Sequence, residues 1–211
     1  MRASFPGPAG ALSRLLALFF VAVSLAGCGK GPQVRPLAPD AVVLAFGDSL
    51  TFGTGAAEKD SYPAQLEKLI GRKVVRSGVP GELSARGLER LPGQLDEHQP
   101  RLLILCEGGN DFLQRQPKQA AAENVRAMIR LARGRGIDVA LVGVPEFGFT
   151  LSPPGFYADL AKEFGIPYQG DVLSKILRDS TLKSDQVHPN AQGYRLMAER
   201  LAELLRKAGA V

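Results

Sequence analysis

The sequence predicts an α/β domain in three layers, a parallel sheet covered by helices on both faces. Three observations carry that reading. Residues 41–46 and 102–106 are continuous apolar runs, the pattern of strands buried on both faces. Each run stops at a polar, glycine-bearing cluster, Gly47-Asp48-Ser49 and Gly108-Gly109-Asn110. Segments with helical apolar spacing alternate with the apolar runs, as parallel strands joined by right-handed crossovers require. The chain of 211 residues suits one domain with one core.

The elements follow in order. After the first strand come Ser61-Tyr62-Pro63 and then a helix over 64–70, with Leu66, Leu69 and Ile70 at helical spacing, Pro63 in the first turn and Gly71 past the end. Residues 73–76 form a short strand around Val74 and Val75, and Gly78-Val79-Pro80-Gly81 a turn. Residues 84–95 carry Leu88, Leu91 and Leu95 on one helical face, and Pro92 is expected to end that helix early. The buried strand at 102–106 leads to a helix over 117–133, closed by Gly134 and Gly136, with Ala121, Val125, Met128, Ile129 and Ala132 inward. Residues 139–144 are the next strand, 145–155 a loop, 156–164 a helix, 166–168 a short edge strand and 172–178 a short helix. The last helix spans 190–207, with Tyr194, Met197, Leu201, Leu204 and Ala208 inward. About five strands in the flavodoxin-like order 2-1-3-4-5 are expected.

The N-terminus reads as a targeting segment. Arg2 and Arg14 precede an apolar run over 15–26, shorter than the roughly 20 residues a bilayer span needs. That is a signal-peptide core. Leu25-Ala26-Gly27-Cys28 resembles a bacterial lipobox, which implies cleavage after residue 27 and lipid on Cys28. With Gly29 in place of an acid after Cys28, enteric-type sorting implies the outer membrane, with the domain facing the periplasm. Pro32, Pro36 and Pro39 make 28–40 a tether, so the domain proper is expected over 41–211. Losing Arg2 and Arg14 lowers the formal charge from +5 to +3, too mild and too interleaved for a nucleic-acid partner. The other cysteine, Cys106, sits inside a strand and reads as a small buried hydrophobe.

Three clusters are thereby brought to one sheet edge: Ser49 after the first strand, Gly81 after the second, Asn110 after the third. Ligands bind at that carboxyl edge in open α/β sheets. A fourth cluster, Asp185-Gln186-Val187-His188, precedes the last helix. A serine needs a base to become a nucleophile, imidazole can be that base, and a carboxylate on the other ring nitrogen orients it. Asp185 and His188 are close enough in sequence to meet within one turn. His98 lies in a charged stretch at the opposite edge and reads as surface. The backbone N–H of Ser49, at a helix start, the N–H of Gly81, unobstructed by a Cβ, and the side-chain amide of Asn110 are candidate oxyanion donors. Phe112, Leu113, Phe147, Phe149 and Leu151 follow the third and fourth strands and are candidates for an acyl pocket. No Gly-x-Ser-x-Gly surrounds Ser49, no cluster has metal-ligand spacing, and no Gly-x-Gly-x-x-Gly follows the first strand, so neither metal nor cofactor is expected.

Gly47-Asp48-Ser49-Leu50, Gly81, Gly108-Gly109-Asn110-Asp111 and Asp185-Gln186-Val187-His188-Pro189 resemble the blocks of the GDSL, or SGNH, hydrolases. The resemblance covers about residues 42–205. Thr51-Phe52-Gly53-Thr54-Gly55 and Gly87-Leu88-Glu89-Arg90-Leu91-Pro92 are most similar to the secreted bacterial acyl-CoA thioesterase, lysophospholipase and arylesterase group. It implies a serine esterase on small acyl esters or thioesters, with Ser49 as nucleophile, Asp185 and His188 completing the triad, and Gly81 and Asn110 as oxyanion donors. Two positions depart from that pattern: Arg76, where the family often has asparagine, and Glu107, where it usually has an aliphatic residue. Rival readings are an O-acetylesterase on cell-envelope polysaccharide, a non-catalytic lipoprotein keeping the fold for binding, and a phosphate or nucleotide binder. The lipobox makes a direct prediction. Cys28→Ser is expected to move the protein from the membrane fraction to the soluble fraction, and unchanged membrane retention would remove the anchor.

Overall fold

A computed structural model describes residues 31–146 and 150–211. The first apolar run is β1 (Val42–Gly47), and its last five residues are buried. It pairs in parallel with β2 (Lys73–Gly78) on one side and β3 (Leu102–Cys106) on the other. β4 (Asp138–Val142) and β5 (Tyr168–Gln169) complete a five-stranded parallel sheet in the order β2-β1-β3-β4-β5. This is the expected order. All five residues of β3 are buried, as a central strand in a doubly covered sheet must be.

Eight helices cover the sheet among the described residues. One face carries α2 (Tyr62–Ile70), packed along α8 (Ala191–Lys207), with α7 (Val172–Arg178) beside α8. The other carries α3 (Ser84–His98), packed along α5 (Lys118–Gly134), with α6 (Phe156–Phe164) next to it. Two short helices, α1 (Ser49–Phe52) and α4 (Gly109–Leu113), follow β1 and β3 directly at the carboxyl edge.

Several boundaries differ from the sequence reading. Pro92 lies inside α3 and does not end it. It removes one backbone bond, and burial of Leu91 and Leu95 on either side holds the helix to His98. Inward positions on α8 are Tyr194, Met197, Leu201 and Leu205; Leu204 is only partly buried, because the turn spacing reaches 205 after 201. β4 stops at Val142, which leaves Val144 free to line the carboxyl edge.

The reading of 28–40 as a free tether fails from Val34 onward. Val34 and Leu37 are buried. Their N–H groups donate to the carbonyls of Ala208 (2.9 Å) and Ala210 (2.8 Å), just past the end of α8. Arg35 pairs with Asp138 at the start of β4 (2.9 Å), and Arg72 donates to the Leu37 carbonyl at 3.1 and 3.2 Å. The prolines hid this, since composition alone does not show that terminal helix carbonyls want donors. The segment docks at the amino edge of the sheet, opposite Ser49. Leu37→Ala is therefore expected to lower unfolding free energy by about 2 kcal/mol in denaturant titration, with turnover unchanged; an unshifted midpoint would show that the segment adds nothing to stability.

Candidate active site

The register of β1 sets the level of the site. Gly47 pairs with Gly78 on one side and Cys106 on the other, so the three strands end together. A Cβ on Gly47 would lie 2.2 Å from the Cys106 carbonyl oxygen, so only glycine permits this approach. Asp48 then caps α1, its Oδ1 accepting the Leu50 N–H at 2.9 Å, and Ser49 is the first helical residue. With four residues, α1 is too short to carry much of a macrodipole. What it supplies is the Ser49 N–H itself.

The histidine comes from the loop between α7 and α8. Asn190 caps α8, accepting from Gln192 and Gly193 (both 3.0 Å), while its amide donates to Thr181 (2.8 Å). Asp185 Oδ1 accepts the N–H groups of Val187 and His188, each at 2.8 Å, and so forms the turn that carries both residues. Asp185 Oδ2 lies 2.8 Å from His188 Nδ1, and His188 Nε2 lies 3.0 Å from Ser49 Oγ. The carboxylate can only accept, so Nδ1 carries the proton and Nε2 faces the serine hydroxyl as acceptor. Partial burial pushes Asp185 upward, but the His188 ring and the two N–H donors outweigh it and hold the carboxyl below its usual range. The predicted trio is thus assembled in hydrogen-bond contact.

Gly81 adopts φ +80°, a left-handed conformation, with nothing within 4 Å of a would-be Cβ. The glycine is needed for backbone conformation, and not for the close approach expected from the sequence. Asn110 Nδ2 donates to Asp48 Oδ2 (3.1 Å) and to the Glu82 carbonyl (3.0 Å), so both ends of the Ser49 and Gly81 blocks meet at its amide.

Ser49, Gly81, Asn110 and His188 line one cavity of about 270 Å³. Its apolar wall is Leu50, Pro80, Leu113, Val144, Pro145, Leu177 and Val187. Of the pocket residues expected from sequence, Leu113 is there. Phe112 is not: it is buried in the core, edge-on to Phe156 (6.3 Å) and Tyr157 (6.4 Å). Adjacent helical positions point apart, so one of the pair had to turn inward. Leu151 also lies off the cavity, where its carbonyl accepts from Arg178 at 3.1 Å. Phe147 and Phe149, and Cys28, fall outside the described residues. Leu50, Pro80 and Val187 escaped notice although each adjoins a predicted site residue. Leu177, on α7, had no local signal.

The two departures have distinct roles. Arg76 donates to the Phe52 carbonyl (2.6 Å), pairs with Glu58 (3.2 Å) and covers the Phe52 ring, pinning the end of α1. Glu107 is fully buried; Oε2 accepts the Gly108 N–H at 3.3 Å, and Oε1 has no donor. Burial first, then the Asp48 and Glu82 carboxylates, push its carboxyl well above the usual range, which favours the protonated form. Burial also raises Asp48, to about 6, against the opposing pull of the Leu50 N–H and His188.

A serine, a histidine and an aspartate are thus joined in hydrogen bonds at the carboxyl edge of a parallel sheet. Residues 45–196 match the GDSL-like lipase/acylhydrolase family, and the chain belongs to it. It is an enzyme of the GDSL/SGNH esterase class. Its relatives include thioesterase 1/protease 1/lysophospholipase L1 of Escherichia coli (strain K12), 28% identical over 179 residues, or 81% of this chain and 86% of that protein. An arylesterase of Vibrio mimicus is 28% identical over 176 residues, covering 78% of this chain and 88% of that one. In fold, the psychrotrophic esterase EstA of Pseudoalteromonas sp. superposes with a TM-score of 0.71 at 20% identity, over 80% of this chain and 98% of its own.

Asp48 yields a pH prediction. It keeps its proton to about pH 6 when folded, but only to about 3.8 by its ordinary value. The folded state binds the extra proton between these values, so this group's contribution to stability is lost as pH rises through that window. Asn does not titrate. The stability of Asp48→Asn relative to the parent is expected to rise, by up to about 3 kcal/mol, as pH goes from acid to neutral; a difference constant with pH would mean Asp48 is unshifted.

Proposed function

We propose that this protein is a serine esterase that hydrolyses carboxylic ester or thioester bonds through an acyl-enzyme. The observation that carries the reading is the continuous chain from Ser49 Oγ through His188 to Asp185, at 3.0 and 2.8 Å. Ser49 Oγ attacks the acyl carbon while His188 Nε2 takes its proton. Asp185 holds the ring in the required tautomer and stabilises the imidazolium. The negative oxygen of the tetrahedral intermediate is met by the N–H groups of Ser49 and Gly81, neither of which donates elsewhere among the described bonds. Asn110 adds its amide by sharing one hydrogen already directed at Asp48 or Glu82. His188 then returns the proton to the leaving alcohol or thiol. Water, activated by the same base, releases the acid and restores Ser49.

The apolar wall of the cavity supports an acyl chain longer than acetyl as substrate, in preference to a polysaccharide O-acetyl group. The names of the relatives, thioesterase/lysophospholipase and arylesterase, support the same bond types. With the lipobox of the sequence, the proposed setting is the periplasmic side of a bacterial envelope membrane, held through lipid on Cys28. The first described residues dock at the amino edge of the sheet through Val34 and Leu37, on the side away from Ser49.

The test is turnover of p-nitrophenyl esters from acetate to palmitate, beside an acyl-CoA thioester. Medium or long chains are expected to be hydrolysed, with at least a roughly 10⁴-fold loss in Ser49→Ala. Activity that survives the substitution would overturn the mechanism, and turnover confined to acetate would overturn the substrate assignment.

A further inference from the structure

Behind the cavity stands a residue that the proposed mechanism does not use. Arg90, on α3, contacts residues beside both segments whose N–H groups would meet the oxyanion: Gly47 ahead of Ser49, and Glu82 after Gly81. Its Nε and Nη2 grip the Glu82 carboxylate at 2.9 and 2.6 Å. Nη1 donates to Ser77 Oγ at 2.6 Å, and Nη2 approaches the carbonyls of Ser77 and Gly47, both at 3.4 Å. The guanidinium lies over the Phe46 ring, 4.1 Å from its centre. The Glu82 side chain is 6% exposed and that of Arg90 24%, so this is no solvated surface pair.

The contacts have a common consequence. Gly47 precedes Asp48 and Ser49 at the end of β1. Ser77 is the next-to-last residue of β2, just before the turn to Gly81. Glu82 follows Gly81, and its carbonyl accepts the Asn110 amide at 3.0 Å. One rigid, planar fork therefore references the Ser49 block, the Gly81 peptide and the Asn110 side chain to a single point. We propose that Arg90 is the positioning residue of the oxyanion hole, holding the turn that carries the Gly81 N–H, and with it the Glu82 carbonyl, against the Asn110 amide through its forked pair with Glu82.

Glu82 alone would not do this. Its backbone N–H is tied to the Val79 carbonyl at 3.2 Å, which pins the Gly81–Glu82 peptide; the donor N–H of Gly81 belongs to the preceding Pro80–Gly81 peptide, which that bond does not reach. The side-chain fork fixes where Glu82 stands and so limits how far the turn that carries this N–H can shift. An oxyanion hole acts by donors fixed before charge develops, so loosening them costs turnover while leaving ground-state binding largely intact. This inference rests on the serine-esterase reading, and the two fail separately. Activity that survives Ser49→Ala removes that reading; the Arg90 variants below test positioning in an enzyme already shown to need Ser49.

The experiment measures kcat and KM on the best p-nitrophenyl ester for Arg90→Ala and Arg90→Lys, with thermal melting beside each. Both variants are expected to lose on the order of 10- to 100-fold in kcat, less than removal of a donor outright, with KM within about twofold. Guanidinium ion added to Arg90→Ala is expected to restore a large part of kcat, which a purely structural defect would not allow. In an Asn110→Ala background, Arg90→Lys is expected to cost only a few-fold more. Should Arg90→Ala fail to fold, Arg90→Lys, which keeps the charge but not the fork, carries the test. Parent-like kcat in a folded Arg90→Lys would overturn the proposal. So would a loss confined to KM, a folded Arg90→Ala that guanidinium cannot rescue, or an undiminished effect in Asn110→Ala.

Discussion

Three parallel strands end at one level because Gly47 pairs with Gly78 and with Cys106 in adjacent registers. Everything at the site hangs on this. A side chain at Gly47 would collide with the Cys106 carbonyl, and one at Gly78 would lie 2.1 Å from the Phe52 nitrogen. Either collision would push a neighbouring strand or α1 outward. With the strands flush, the residues just beyond each end, Ser49, Gly81 and Asn110, converge on the lining of one cavity. The parallel sheet contributes more than a platform: its register is the ruler for the donors.

A second constraint is electrostatic. Asp48, Glu82, Glu107 and Asp111 are packed behind the donors, and only Glu82 has a cation in contact among the described ion pairs. Asp111 is satisfied by the Ser84 N–H (2.8 Å) and hydroxyl (2.7 Å) instead. So many acids in low dielectric cannot all ionise. Burial pushes Glu107 well above the usual carboxylate range and Asp48 up to about 6. The result is an acceptor-rich wall that orients the Asn110 amide, while Asp185, beside His188, sits half in solvent with its carboxyl held below the usual range. Different environments thus set the acids of one small site apart.

Much of the fold was legible before any coordinates. Both buried strands and most helices follow from periodicity, the strand order follows from the doubly wound class, and the Gly71 cap is local chemistry. Legibility fails where a local rule meets a distant partner. Pro92 signals a helix end locally, but burial of Leu91 and Leu95 in the core carries α3 past it. The prolines of 32–39 signal a tether, but Val34 and Leu37 donate to the last carbonyls of the chain, more than 170 residues away in sequence. Sequence spacing alone does not tell which of Phe112 and Leu113 turns toward the core.

The sequence by itself determined the order of strands and helices and the identity of the triad and oxyanion-donor candidates. It could do so because hydrophobic period, turn chemistry and a three-residue Asp-to-His spacing are encoded over short stretches. Only the tertiary structure decided that Arg90 joins three of those blocks, that burial pushes Glu107 toward its protonated form, and that Leu177 walls the cavity. Those properties depend on contacts between distant segments and on burial, which changes the charge state of an acid without changing its name in the sequence.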